Sequence, residues 1–202
     1  MSEPRTYRAT VGSQSLDLPV VPLGDDLAIA LLITVDLGVR FAATAGAELA
    51  AELEPLRPDV VVSVATMGIP LAIEVTRALG LDDYVILHKT PKIHLREAYS
   101  EPVRSITTRE AQTLRLDPAR SAAVRGRRVA VVDDVVSTGA SIQAALALVR
   151  QVGGDPVVVG VLVTEGSSWR TTLGADAESV RALGSLPVFR RTPEGDLREE
   201  WG

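Results

Sequence analysis

The sequence contains no cysteine among its 202 residues. This absence excludes disulfide bonds, a thiol nucleophile and cysteine-ligated metal sites, and it fits an intracellular protein. Long hydrophobic runs are also missing, since the most apolar early stretch, residues 27–35, ends at Asp36. A membrane-spanning helix needs roughly 20 apolar residues, and the first ten residues show no apolar signal core. We therefore expect a cytoplasmic protein without a membrane segment.

An excess of basic residues is absent as well. Lys and Arg number 21 against 26 Asp and Glu, which gives a formal net charge of −5. Proteins that bind nucleic acids usually carry a basic domain or stripe, so this balance argues against such a partner. A phosphate ligand stays compatible with it, because backbone amides at a helix N-terminus and one metal ion outweigh a mildly acidic average.

The chain also lacks repeats, low-complexity tracts and a linker rich enough in Pro, Gly or Ser to separate two domains. Its length and its 46% content of hydrophobic residues suit one structural domain with a sizeable core. Residues 1–40 have strand-like pieces punctuated by Pro19, Pro22 and Gly24, which indicates an accessory region. Residues 41–202 form the predicted core.

Helical patterns and buried-strand patterns alternate along this core. Helical spacing covers residues 41–53, 70–79 and about 139–152, and apolar runs typical of strands cover residues 59–65, 84–87, 128–133 and 157–164. This alternation predicts an α/β fold with a parallel sheet and right-handed crossovers. Between residues 94 and 127 the pattern lapses into short pieces, Val103–Thr107 and Thr113–Leu116, which form either a hairpin or a mobile flap over the site.

Ligands of parallel sheets bind at the carboxyl ends of the strands. At one such end, four apolar residues lead to Asp133 and Asp134, and a turn of small residues precedes the next helix; its members are Ser137, Thr138, Gly139, Ala140 and Ser141. Such a turn aims backbone N–H groups and a helix N-terminus at one phosphate. The two acids suit hydroxyl groups instead, such as the 2′- and 3′-OH of a ribose, so the segment predicts a 5-phosphoribosyl site. The alternative is a helix capped by Ser137 or Thr138 beside surface acids.

Residues 129–141 resemble the signature of the type I phosphoribosyltransferases at the apolar strand, both acids, the Thr-Gly pair and the following small residue. The similarity is strongest here and extends thinly from about residue 32 to 189, towards the purine (adenine and xanthine) branches. It implies a central parallel sheet flanked by helices, a small N-terminal hood (residues 1–40) and a flexible loop. The implied reaction transfers the 5-phosphoribosyl group of phosphoribosyl diphosphate to a purine base. The implied cofactor is Mg²⁺ held mainly by the substrate, with no dedicated protein metal ligands, and the implied assembly is a homodimer.

The resemblance also assigns the diphosphate site. The family's diphosphate loop matches Ala65, Thr66, Met67 and Gly68, where a non-proline cis peptide is common. A basic segment of the adenine enzymes resembles Lys89 and Lys92. The alternatives are an ordinary strand-to-helix turn and a solvated basic turn.

Residues for the base and for catalysis are implied less directly. Asp133 and Asp134 hold the ribose at an exposed strand end, and Glu101 is the candidate general acid or base on the loop. The candidate base site contains Arg40, Glu165 and Gly166, although xanthine enzymes have a lysine where Gly166 stands. Trp169 is either an aromatic platform for the base or a packing residue.

Two rival functions stay open at this point. One is a regulator that binds phosphoribosyl diphosphate without catalysis, and the other is a phosphoribosyltransferase for a non-purine base.

Overall fold

The computed structural model describes residues 5–90, 98–103, 112–193 and 195–201. Within them, the strands are β1 (Thr6–Val11), β2 (Gln14–Pro22), β3 (Leu27–Ala30), β4 (Val60–Val64), β5 (Tyr84–Leu87), β6 (Tyr99–Val103), β7 (Gln112–Leu116), β8 (Arg128–Val136), β9 (Asp155–Glu165), β10 (Val180–Leu186), β11 (Val188–Arg191) and β12 (Leu197–Glu200). The α-helices are α1 (Gly38–Leu53), α2 (Gly68–Ala78), α3 (Ala140–Gln151) and α4 (Ser168–Leu173). No helix in these ranges has the length and apolar character to cross a bilayer.

The core is a five-stranded parallel sheet of order β10-β9-β8-β4-β5 with helices on both faces. Successive side chains of a strand point to opposite faces, and β8 shows the consequence. Ala130 and Val132 pack with residues of α1 and α2, whereas Val129 and Val131 pack with residues of α3. Burial on both faces explains the unbroken apolar runs of these strands. The predicted α/β class with a central parallel sheet flanked by helices is therefore confirmed.

One predicted boundary at the site is wrong. The sequence pattern ended the third core strand at Asp133, but β8 continues to Val136. Val135 and Val136 stay in register with Val163 and Thr164 of β9. Asp133 and Asp134 therefore lie within the strand and not at its end. The strand is extended by its pairing with β9, which the sequence of β8 alone does not show.

A second five-stranded sheet, of order β1-β2-β3-β11-β12, contains the strands predicted in residues 1–40. Its other two strands come from the C-terminal end of the chain, where Val188 pairs with Ile29 and β12 pairs with β11. The sheet contacts the core where β1 crosses β10, and Gly12 N–H donates to Leu183 O at 2.9 Å. The hood boundary at residue 40 stays a prediction, and the structure adds residues 188–200 to the hood sheet.

The irregular stretch after β5 contains an antiparallel pair, β6 and β7. A bridge between His88 and Arg115 joins β7 to the end of β5, and β6 packs on α3. The described part of the predicted hairpin or flap is thus a strand pair, while most of Val103–Thr107 lies outside the described residues.

Candidate functional site

The turn between β8 and α3 forms a small cavity at the carboxyl end of the sheet. This cavity has a volume of about 130 Å³ and is lined by residues 135–139, Ser141 and Ile142. Gly139 immediately precedes α3 with φ 81°, a conformation that glycine adopts without a Cβ penalty. The first N–H groups of α3 have no partners within the helix. This end of α3 has the geometry of an anion site.

Residues 165–172 pack against this turn. Ser168 donates its hydroxyl to Ser137 O at 3.2 Å, and the Ser137 side chain hydrogen-bonds the buried carboxyl of Glu165. A Cβ atom on Gly139 would lie 3.1 Å from Trp169 O, so a larger residue does not fit. Glu165 therefore competes with a phosphate for the Ser137 hydroxyl, whereas the backbone amides, Thr138 and Ser141 also line the cavity as candidate donors.

The acid pair is more buried than the sequence suggested. Asp133 is 8% exposed and Asp134 is half-buried, so the expectation of an exposed strand end is wrong for Asp133. The backbone N–H of Asp134 donates to Asp133 Oδ1 at 3.0 Å. The burial arises because Gly68 and the loop before it cover the carboxyl: a Cβ atom on Gly68 would lie 2.7 Å from Asp133 Oδ1.

This burial changes how the pair titrates. Burial and the neighbouring Asp134 carboxylate raise the pKa of Asp133 well above its usual range, against a smaller opposing effect of Lys89. Burial also raises the pKa of Asp134, although hydrogen bonds from the Asp133 side chain and from backbone N–H groups oppose the rise. Two adjacent desolvated carboxyls favour holding a proton between them. A cation or hydroxyl donors beside the pair would stabilise its ionised form.

The segment 65–68 forms one wall of a second cavity. This cavity, about 160 Å³ in volume, is lined by Val64, Ala65, Thr66, Met67, Lys89, Asp133, Asp134, Val135 and Ser141. The peptide bond between Ala65 and Thr66 is cis, as the resemblance implied. Val135 and Ser141 line both this cavity and that of the turn between β8 and α3 (the phosphate turn of the prediction), so the two cavities adjoin.

Lys89 reaches this cavity from the end of β5. Its carbonyl oxygen accepts a hydrogen bond from Arg115 Nη1 at 3.1 Å, and the same guanidinium donates to Thr113 O. Sequence reasoning missed Arg115, because its relation to Lys89 arises only from the pairing of β7 beside β5. Lys92, the second predicted lysine, lies outside the described residues.

Comparison with known proteins identifies the family of the chain. Residues 41–179 match the sequence model of the phosphoribosyl transferase domain, which is more than half of the chain. The chain belongs to the type I phosphoribosyltransferase family. The predicted family is thereby confirmed.

Individual relatives of the chain are named for different bases. The orotate phosphoribosyltransferase of Caldanaerobacter subterraneus subsp. tengcongensis is 33% identical over 67% of this chain and 60% of its own length. The xanthine phosphoribosyltransferase of Laribacter hongkongensis is 26% identical over 76% of this chain and 80% of its own length. A solved APRTase from Giardia lamblia has a TM-score of 0.68 at 19% identity and covers 83% of this chain and 93% of that one. The last likeness concerns the fold alone.

Two other predicted site residues lie away from the acid pair. Glu101 on β6 lines a separate surface cavity with residues of α3, namely Gln143, Ala144 and Ala147. Arg40 is exposed in the first turn of α1 and lines neither of the two adjoining cavities. A catalytic role for Glu101 and base binding by Arg40 stay predictions without support from this arrangement.

Glu165, at the end of β9, and the residues after it pack against the turn, and base binding by Glu165 and Gly166 stays a prediction. Glu165 is buried, and burial raises the pKa of its carboxyl while the Ser137 hydrogen bond opposes the rise. Gly166 has φ 56°, and its carbonyl accepts the Trp169 indole N–H at 3.1 Å. Trp169 is 2% exposed within the hydrophobic core, so it packs and does not offer a stacking face.

Proposed function

We propose that this protein transfers the 5-phosphoribosyl group of phosphoribosyl diphosphate to a purine base and releases pyrophosphate. One observation carries the proposal: a helix N-terminal turn and a buried acid pair line two adjoining cavities that share Val135 and Ser141. An anion site next to carboxylates matches a ligand that carries a phosphate at one end of a diol-bearing sugar.

Each part of the donor then has a place. The turn at residues 137–141 binds the 5′-phosphate through backbone N–H groups, and Asp133 with Asp134 accepts hydrogen bonds from the ribose 2′- and 3′-OH. Lys89 and the amides of residues 65–68 bind the diphosphate. The carboxylates therefore lie close to the ring carbon at which charge develops.

The reaction forms one bond and breaks another at C1 of the ribose. A nitrogen of the base bonds to C1, and the bond from C1 to the diphosphate oxygen breaks, so the electron pair leaves with pyrophosphate. The base nitrogen loses its proton, which passes to solvent or to the released pyrophosphate. Breaking a glycosyl bond gives a transition state with oxocarbenium character. The protein accelerates it by aligning the two reactants and by placing carboxylates and Lys89 where charges develop.

Mg²⁺ fits this donor set. Two carboxyls whose pKa values are raised by burial and by each other gain from a nearby cation, and Mg²⁺ prefers oxygen ligands. We propose a metal held mainly by substrate oxygens, with Asp133 and Asp134 nearby. Bound there, Mg²⁺ would neutralise charge on the leaving diphosphate.

The purine assignment rests on the resemblance at residues 129–141 and on the xanthine relative, which aligns over 80% of its own length against 60% for the orotate relative. A panel of adenine, hypoxanthine, guanine, xanthine and orotate with donor and Mg²⁺ tests it by pyrophosphate release. Turnover of a purine is the expected result. Turnover of orotate alone favours the enzyme for a non-purine base. Donor binding without any turnover favours the regulator.

We also propose a homodimer. Val35 and Val39, four residues apart around the start of α1, expose apolar side chains. Met67 is exposed near Thr34, which precedes Val35 in the chain. Exposed apolar groups close together favour burial by a partner. Sedimentation velocity should give twice the 21.4 kDa chain mass, and a monomer at micromolar concentration would reject this assembly.

A further inference from the structure

Thr34 forms an unusual link between the hood end of the chain and the diphosphate loop. It lies in the short 3₁₀ turn Thr34–Asp36, between β3 of the hood and the start of α1. Its side chain is 5% exposed, and its hydroxyl donates to Met67 O at 2.6 Å. The bond joins two segments that are 33 residues apart in sequence. A buried hydroxyl with a short bond to a loop carbonyl fixes the orientation of that carbonyl.

Fixing this carbonyl also fixes an N–H group. Met67 O and the Gly68 N–H belong to one planar peptide unit and point in opposite directions when that unit is trans. The cis bond of the described residues lies two peptide units earlier, between Ala65 and Thr66. With Met67 O directed towards Thr34, the Gly68 N–H points away from Thr34. This N–H is among the first N–H groups of α2, which lack partners within the helix.

The position of Gly68 connects this peptide unit to the donor site. Its Cα faces the carboxyl of Asp133, and Met67 on the other side of the peptide lines the acid-pair cavity together with Lys89. A rotation of the unit would therefore move the loop amides relative to both the acids and the lysine. The phosphate turn on the opposite side of the cavity has its own supports in Ser168 and Glu165.

We infer that Thr34 is a positioning residue for the diphosphate loop, required for binding the diphosphate end of the donor but not its 5′-phosphate end. The inference rests on the proposed function, because it assigns the diphosphate to residues 65–68. Thr34 itself touches no reacting group in this scheme. It acts through the Met67–Gly68 peptide unit.

The test compares Thr34→Val, Thr34→Ser and a matched control. Valine keeps the size of Thr34 and removes the hydroxyl, whereas serine keeps the hydroxyl. Thr76→Val is the control, since Thr76 is 3% exposed and donates to Ala72 O at the same 2.6 Å, but within α2. Both valine variants thus lose one buried hydroxyl-to-carbonyl bond, and only one of them loses it at the loop.

Pyrophosphate and ribose 5-phosphate serve as separate probes, each titrated by calorimetry with Mg²⁺, alongside the KM for phosphoribosyl diphosphate. In Thr34→Val we expect pyrophosphate affinity to fall about tenfold and KM to rise about tenfold, the scale of one lost hydrogen bond. Ribose 5-phosphate affinity should stay within twofold of wild type. Thr34→Ser and Thr76→Val should match wild type with both probes.

Other outcomes overturn the inference in distinguishable ways. Equal pyrophosphate affinity in Thr34→Val and wild type removes the positioning role and leaves the proposed function intact. A parallel loss of affinity for both probes, or the same loss in Thr76→Val, means that the effect is general destabilisation. If Thr34→Val does not fold, a tenfold loss of pyrophosphate affinity in Thr34→Ala with Thr34→Ser unaffected supports the role, and equal affinities reject it. A wild-type protein that binds neither probe contradicts the proposed function itself.

Discussion

Gly68 lies directly against the carboxyl of Asp133, where an added Cβ atom would be 2.7 Å from Asp133 Oδ1 and 2.4 Å from Ser63 Oγ. Contacts this short are not tolerated, so the diphosphate loop and the acid pair fit together only because residue 68 has no side chain. This contact connects residues 65–68 with Asp133 and Asp134, which the family resemblance identifies as two separate motifs. It also explains why Asp133 is buried.

Gly68→Ala should therefore destabilise the fold and disrupt the donor site together. Overpacking a tight contact costs about 1–3 kcal/mol, and the loop has to move away from the acids. Chemical denaturation measures the first effect, and calorimetric titration with pyrophosphate measures the second.

The double variant Ser63→Ala/Gly68→Ala provides the control for that mechanism. It removes the nearer of the two clashing atoms and should recover part of the lost stability while the clash with Asp133 stays. An unchanged free energy of unfolding in Gly68→Ala would contradict the contact.

Asp133→Asn should change how stability depends on pH. The pKa of Asp133 is raised in the folded state above the ordinary unfolded value of about 3.9. Between these two pKa values the folded state binds more protons than the unfolded state, so stability falls as pH rises through this window. Asparagine cannot ionise, and its side-chain oxygen can still accept the Asp134 N–H.

We expect Asp133→Asn to melt at a higher temperature than wild type at pH 8. One pKa unit corresponds to about 1.4 kcal/mol, and about 1 kcal/mol shifts the Tm of a chain of this size by roughly 2–4 °C. The advantage should shrink as pH falls towards 5. Calorimetric melts from pH 5 to pH 8 test the sign, and a difference in Tm that is the same at every pH would argue against a raised pKa.

Ser63→Ala should not destabilise the protein. Ser63 is fully buried in β4, and its hydroxyl has no hydrogen-bond partner among the described residues. Removing an unpaired buried hydroxyl relieves a desolvation cost of about 1–3 kcal/mol. Ser121→Ala is the matched control, because the Ser121 hydroxyl donates to Pro118 O at 2.7 Å and its loss should cost about 1 kcal/mol. If both variants lose equal stability in urea titrations, the Ser63 hydroxyl has a partner in solution.

The core and the main motif could be predicted because their signals are local. β5 was predicted with its observed bounds, Tyr84–Leu87, from a short apolar run. The turn before α3 was predicted from its small residues, whose effect on the backbone depends little on the rest of the chain. The family resemblance then supplied the diphosphate loop, including its cis peptide bond.

What could not be predicted depends on contacts between distant segments. Pairing of β11 with β3 brings residues 188 and 29 together. The sequence of neither short strand indicates which other strand it pairs with. The burial of Asp133 requires Gly68 to pack against it, and the position of Lys89 involves Arg115 from another strand. The Ser137 hydroxyl was assigned to the ligand because the sequence does not reveal that Glu165 lies within its reach.

In the proposed function, the turn at residues 137–141 and the acid pair bind opposite ends of one phosphoribosyl group. Isothermal titration of phosphoribosyl diphosphate with Mg²⁺ into wild type and Asp134→Asn tests it most directly. We predict one binding site per wild-type chain and at least about tenfold weaker binding in Asp134→Asn, the scale expected for a lost charged hydrogen bond, with Tm within a few degrees of wild type. Undiminished binding in the variant, or no binding by the wild-type protein, would contradict the account.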